Sequence, residues 1–336
     1  MRSFKTRATL VILVAVALLL YACYGPIPWY LSWYDSRDYA IARLDFGKGV
    51  NRICRVGSSS MIACGLSDGR IVIADVDNES SSKELFEHSC GVKLLSASID
   101  GKYLCSVDAN DTLILWNSSD WTRRRIDGDK MGNVLGCAFS GRGAKIAIWT
   151  GSQICIYSCL TLKLEWAAIH HQMISGLAFV ADEQLIFVDA RGVIYTKTVD
   201  SIAAIESTRV IGGMPNMLVS SGMSEFSYIG CGNGNLFRYN ASLKVVDQLP
   251  SSSTEPARCI AISLDGFLLA VAYGAPSNPP PIGWGKCSVV VQFAETGEIV
   301  RRYGWFPSPL SSVVFLKGGR FATSEFGRGV TVWRIP

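Results

Sequence analysis

The sequence predicts an all-β chain built as a ring of seven small sheets, and three observations carry that expectation. A strand with an aromatic or polar end recurs as Arg70–Val76, Thr112–Ser118, Gln153–Cys159, Val193–Val199, Asn235–Ala241, Ser288–Ala294 and Val330–Pro336. Its equivalent positions, Ala74, Trp116, Tyr157, Lys197, Tyr239, Phe293 and Trp333, follow one another at steps of 42, 41, 40, 42, 54 and 40 residues. Short strands repeating every 40–45 residues are the mark of a β-propeller, so seven copies predict seven blades. The second observation is two kinds of strand. Leu104–Val107 and Leu268–Ala272 are almost wholly apolar, as strands covered on both faces must be, whereas Trp121–Asp127 and Glu298–Tyr303 alternate with polar residues. The third is that no helical periodicity is visible after Tyr24.

The amino terminus reads differently. Met1–Arg7 carries Arg2, Lys5 and Arg7, and Ala8–Tyr24 then runs without a charge. A helix of that length spans about 25 Å, near the lower limit for crossing a bilayer. Gly25, Pro26 and Pro28 end it, and Trp29, Tyr30, Trp33 and Tyr34 suit the membrane–water interface. Residues 1–24 are therefore expected to form a signal-anchor or transmembrane helix and 25–38 a juxtamembrane stalk, leaving 39–336 for the propeller. The basic flank puts the amino terminus in the cytoplasm and the propeller outside. Two other fates stay open: cleavage of a signal peptide, and lipidation of Cys23 in Leu20–Tyr21–Ala22–Cys23.

Next comes Tyr39–Phe46, a strand with no blade of its own, while the seventh copy ends at Trp333–Pro336 without an outer strand. Lending the first to the last closes the ring and removes an unpaired edge. Along the blades, Ser98–Ile99–Asp100–Gly101 and Ser263–Leu264–Asp265–Gly266 are tight turns, with degenerate forms at Ser140–Gly143 and Lys317–Gly319. His171–Phe179 is the clearest blade start. With these turns and starts, the repeats resemble WD40 repeats from about Tyr39 to Pro336. The resemblance implies a rigid, non-catalytic propeller that binds other proteins through its loops. The chain departs from the pattern in lacking an intact Trp-Asp ending and the Gly-His dipeptide: Trp116–Asn117 and Trp333–Arg334 keep the ring, and Ala74–Asp75 keeps the acid. The buried polar network those residues form in the family is accordingly expected to be largely absent.

Composition excludes several functions. Hydrophobic residues are 49% and charged residues 18% of 336, enough for a large core and against disorder. A net charge of +4 spread along the chain gives no basic stripe for nucleic acid. Arg123–Arg124–Arg125 falls on an outer strand, where charge protects a sheet edge. Gly65–Leu66–Ser67–Asp68–Gly69 matches a hydrolase elbow in letters, but a strand rather than a helix follows it. His88, His170 and His171 are the only histidines, none with an evident acid partner in the sequence. The turn aspartates Asp68, Asp100, Asp108, Asp111 and Asp265 lack the loop spacing of a calcium site. Eleven cysteines without a C-x-x-C pair read as small buried hydrophobes, a usage typical of reducing compartments that conflicts with the outward orientation.

No cofactor, metal ligand set or catalytic residue is therefore expected. The leading expectation is a monomeric, membrane-tethered interaction scaffold. The alternative is an extracytoplasmic propeller enzyme, or a small-ligand or metal binder, that uses the central channel. The long step falls on Gly274–Lys286, a proline-rich insertion in the sixth blade carrying Pro280 and Trp284. These two, with Phe326 and Arg328 on the same face, are the expected partner-binding residues.

Overall fold

The computed structural model describes residues 38–336 apart from 58, 79–80, 127–130, 181–183, 200–204, 210–211, 222–224, 275–286, 305 and 307. The expected helix over 1–24, the stalk up to residue 37, Cys23, Pro280 and Trp284 lie outside the described residues. Among those described, no helix is long and apolar enough to cross a membrane.

Seven four-stranded antiparallel sheets form the ring, each strand pairing with the one before it. The first blade comprises Val50–Arg55, Met61–Leu66, Arg70–Asp75 and Ser82–Phe86; the second, Val92–Ala97, Tyr103–Asp108, Leu113–Asn117 and Arg123–Ile126. The remaining blades follow the same order from inner to outer strand, and the period of about 41 residues is thus one blade. Second strands are the most buried, as the apolar runs require: Tyr103–Asp108 and Leu268–Tyr273 are covered at every residue but the first. Outer strands are mostly exposed, and the arginines of Arg123–Ile126 staple neighbouring parts together. Arg123 Nε lies 2.7 Å from Glu87 Oε2, and Arg124 donates to the carbonyls of Leu160, at 2.6 Å, and Cys159 in the third blade.

The ring closes as the orphan strand requires. Ala40–Leu44 pairs antiparallel with Val330–Arg334 and completes a sheet with Arg320–Glu325 and Leu310–Leu316. The start of the described chain meets its carboxyl end there, since Arg334 N–H donates to the Tyr39 carbonyl at 2.8 Å. Because strands alternate direction, the described second-to-third turns and blade-to-blade connections fall on one face of the ring. Among the described residues, first-to-second turns, third-to-fourth turns, Tyr39 and the carboxyl end fall on the other.

One feature was not visible in the sequence. Each of the seven innermost strands shifts register after its first residue, at Val50/Arg52, Val92/Leu94, Val134/Gly136, Ile174/Gly176, Pro215/Met217, Ala257/Cys259 and Leu310/Ser312. A bulge turns the extra side chain out of the ladder. In two blades that side chain bonds the next blade: Asn51 Nδ2 donates to the Val92 carbonyl at 3.1 Å, and Asn216 Nδ2 to that of Ala257 at 3.4 Å.

Candidate functional site

The residues that looked most chemical in the sequence are used inside the blades. Asp108 ends the second strand of the second blade with its side chain fully buried. Its Oδ1 accepts from the N–H groups of Asn110 at 3.0 Å and Thr112 at 2.9 Å, which fixes the following turn. Its Oδ2 lies 3.2 Å from Nδ1 of His88, on the connection entering the blade. Nε2 of His88 is 2.7 Å from Ser106 Oγ, and Trp116 Nε1–H donates to that same Oγ at 2.8 Å. With the Nδ1 proton assigned toward Asp108, His88 Nε2 accepts from the Ser106 hydroxyl, and a chain of four side chains ties two strands to the blade entrance.

Burial holds the His88 pKa below its usual value, against the pull of Asp108, so the ring is neutral at pH 7. Burial alone would raise the Asp108 carboxyl. The Thr112 N–H, His88 and the Asn110 N–H outweigh it and hold the group below the ordinary carboxylate range. An ionised acceptor, a neutral histidine and a spent hydroxyl leave no free base or nucleophile. The expectations that His88 lacks an acid partner and that the family's network is largely absent are thus corrected for this blade. Neither dipeptide flagged this network, because Glu87 precedes His88 and Asn117 follows Trp116.

Other blades keep fragments. In the fourth, Asp189 accepts from the N–H groups of Arg191 at 2.9 Å and Val193 at 3.0 Å, and from the Tyr195 hydroxyl at 3.2 Å, with His170 Nε2 3.7 Å away. In the sixth, the Ser252 hydroxyl donates to Tyr273 OH at 2.9 Å. In the seventh, Trp333 Nε1–H donates to Thr323 Oγ1 at 2.9 Å. The Gly-x-Ser-x-Gly stretch is a hairpin turn, with Gly69 at φ +92° and Asp68 paired to Arg70 at 2.9 Å.

The ring axis holds a cavity of about 400 Å³ toward the turn face and another of about 330 Å³ toward the opposite face. Arg52, Arg258 and Trp149 are among the residues lining the first and Arg55 lines the second; among the described residues no carboxylate or histidine lines either. Arg52 and Arg258 are committed to backbone carbonyls, Arg52 to Lys93 at 3.1 Å and Arg258 to Gly274 at 2.8 Å. Among the described residues no group of three or more His, Cys, Asp or Glu side chains could hold a metal ion. The ten described cysteines are free thiols, most of them buried. Burial pushes Cys231 and Cys259 up to about 11, which keeps them protonated and poor nucleophiles.

The turn face carries what the interior does not use. Phe326 is 65% exposed, Met173 58% and Met214 69%. Arg328 is exposed two residues beyond Phe326. Both expected residues that the structure describes therefore stand on one turn of the seventh blade, beside the seam where the ring closes.

The fold defines a seven-bladed β-propeller. Among solved structures the chain is similar to the β-propeller domain of Cps50 (Swd1) from Myceliophteria thermophila, with a TM-score of 0.72 at 15% identity. That match covers 88% of this chain and all of the other. No family model and no curated protein matches the sequence.

Proposed function

We propose that the protein is a non-catalytic interaction platform, tethered to a membrane through residues 1–24, that presents the turn face of its propeller to partner proteins. One observation carries this reading. The titratable residues of the best-kept blade are consumed in holding it together, while large apolar and cationic side chains stand exposed on the turn face. A rigid ring with variable loops is suited to recognition because its loops can change without disturbing the core. Tethering rests on the uncharged run Ala8–Tyr24, which precedes the closing strand by a stretch able to reach about 50 Å when extended. The chain enters the ring on the face opposite Phe326, so a tether there leaves the turn face pointing away from the bilayer. On this reading Trp284 and Pro280 extend the surface formed by Phe326 and Arg328.

The test is Phe326→Ala, and separately Trp284→Ala, in the full chain, with partner recovery measured by chemical cross-linking and co-purification. Selective loss of the same partners with an unchanged thermal melt is the expected result. Unchanged recovery in both variants removes this face from the interface.

A further inference from the structure

A pocket of about 510 Å³ opens on the turn face where the closing strand meets the seventh blade. Two loops of nearly the same sequence, Phe46–Gly47–Lys48–Gly49–Val50 and Phe326–Gly327–Arg328–Gly329–Val330, contribute Gly47, Lys48, Gly49, Gly327, Arg328, Gly329 and Val330 to its lining. They are joined by a bridge in which the Val50 N–H donates to the Arg328 carbonyl at 2.7 Å. Glycine is required where they touch, since a Cβ on Gly49 would lie 2.7 Å from Gly327 Cα and one on Gly329 would strike the Leu44 carbonyl oxygen. The close approach brings Lys48 and Arg328 to the rim together with Arg43 from the closing strand.

Several other surface cations are paired. Arg70 is held by Asp68 and Glu84, Lys93 by Asp111, Arg320 by Asp77 and Arg238 by Asp247. Among the described residues, no hydrogen bond or ion pair engages the side chains of Arg43, Lys48 or Arg328. Two carboxylates face them. Asp45 spends one oxygen on the Gly47 N–H at 3.0 Å, and Glu325 has a buried Oε2 without a partner among the described residues. Burial raises the Glu325 carboxyl, although Arg328 and Arg43 pull the other way.

We infer that this seam pocket is the recognition site for an acidic peptide segment of a partner protein, whose carboxylates bridge Arg43, Lys48 and Arg328 while an adjacent apolar side chain packs on Phe326. The inference rests on the platform reading and names the chemistry of the partner. Cations left unpaired around a concavity suit carboxylates, and the planar guanidinium groups of Arg43 and Arg328 match them in a forked geometry. The exposed ring beside them supplies the apolar anchor. A protein segment is favoured over an anionic lipid surface because the chain leaves the ring on the opposite face, where Tyr39 meets Arg334.

The experiment measures fluorescence anisotropy of a short labelled peptide of alternating glutamate and phenylalanine, titrated with the purified full-length protein. Binding that weakens as salt rises is expected. Exposed charge pairs each carry up to about fivefold in affinity, so the combined Arg43→Ala, Lys48→Ala, Arg328→Ala variant should bind about tenfold or more weakly, with an unchanged melt. Equal binding by that variant, or no binding by the unaltered protein, overturns the assignment. Phosphatidylserine vesicles, used as a second probe, overturn it if they alone bind through these three residues. Partner cross-links that still form from Met173 in the combined variant would show the platform standing while the seam assignment falls.

Discussion

Replacing Asp108 by alanine probes the second blade at the point where most bonds converge. The buried carboxylate accepts from the N–H groups of Asn110 and Thr112 and lies 3.2 Å from His88 Nδ1. The two turn amides stand beside solvent and regain water, so each costs about 0.5 kcal/mol. The His88 side chain is fully buried and regains nothing; leaving its N–H unpaired costs about 2 kcal/mol. The total is about 3 kcal/mol, or a Tm lower by about 6 °C at about 2 °C per kcal/mol for a domain of this size. The assay is thermal or urea unfolding of the unaltered protein, Asp108→Ala, His88→Ala and the double variant. Because the two residues share one bond, the double variant should lose less than the sum of the singles, with a coupling of about 1 kcal/mol or more. A loss below about 1 kcal/mol for Asp108→Ala, or strict additivity, would refute the network as a stabilising unit.

The same network predicts acid sensitivity. The folded-state pKa of His88 is lowered, so its contribution is complete above the unfolded value of about 6.5 and is lost as pH falls below it. Asp108, also lowered, adds stability above its unfolded value that disappears as pH falls through its folded value. Melts should fall once as pH drops below about 6.5 and again below about 4, and His88→Phe should remove the first of these falls. At the seam, Gly329→Ala should cost about 2 kcal/mol or more in a urea titration, because the added Cβ meets backbone that cannot move aside. Ala42→Pro, opposite Val332 in the closing pair, should destabilise by about 3 kcal/mol or more and increase proteolysis near the amino terminus. Phe326→Ala should leave the melt unchanged within about 0.5 kcal/mol, since the ring is largely exposed.

The architecture was legible because it rests on repetition. A period near 41 fixed the blade count, and the imbalance between an orphan strand and an unfinished last blade fixed the closure. Turn chemistry was legible for the same local reason: Asp100 accepts from the Ser98 hydroxyl at 2.6 Å and from the Lys102 N–H at 3.1 Å, as the Ser-x-Asp-Gly pattern implies. What escaped was built from distant residues. His88, Ser106, Asp108 and Trp116 sit on a connection and two strands, and the dipeptides that usually flag them are both altered. The spacing of a histidine, then a serine and an aspartate two apart, then a tryptophan was the signal available. The register shifts gave no warning because a bulge depends on how two strands pair. The seam pocket escaped because its halves, Arg43–Gly49 and Glu325–Thr331, lie almost a full chain length apart and meet only when the ring shuts.

The most direct test of the platform places a photo-cross-linking amino acid at Phe326 on the turn face, and in a second protein at Phe267 on the opposite face. Both positions are largely exposed, at 65% and 70%. Irradiation in the native cell, followed by mass spectrometry, should give discrete protein adducts from position 326 and none of the same adducts from position 267. Adducts absent from 326, or shared equally by both faces, would contradict the claim that this propeller works by presenting its turn face to partners.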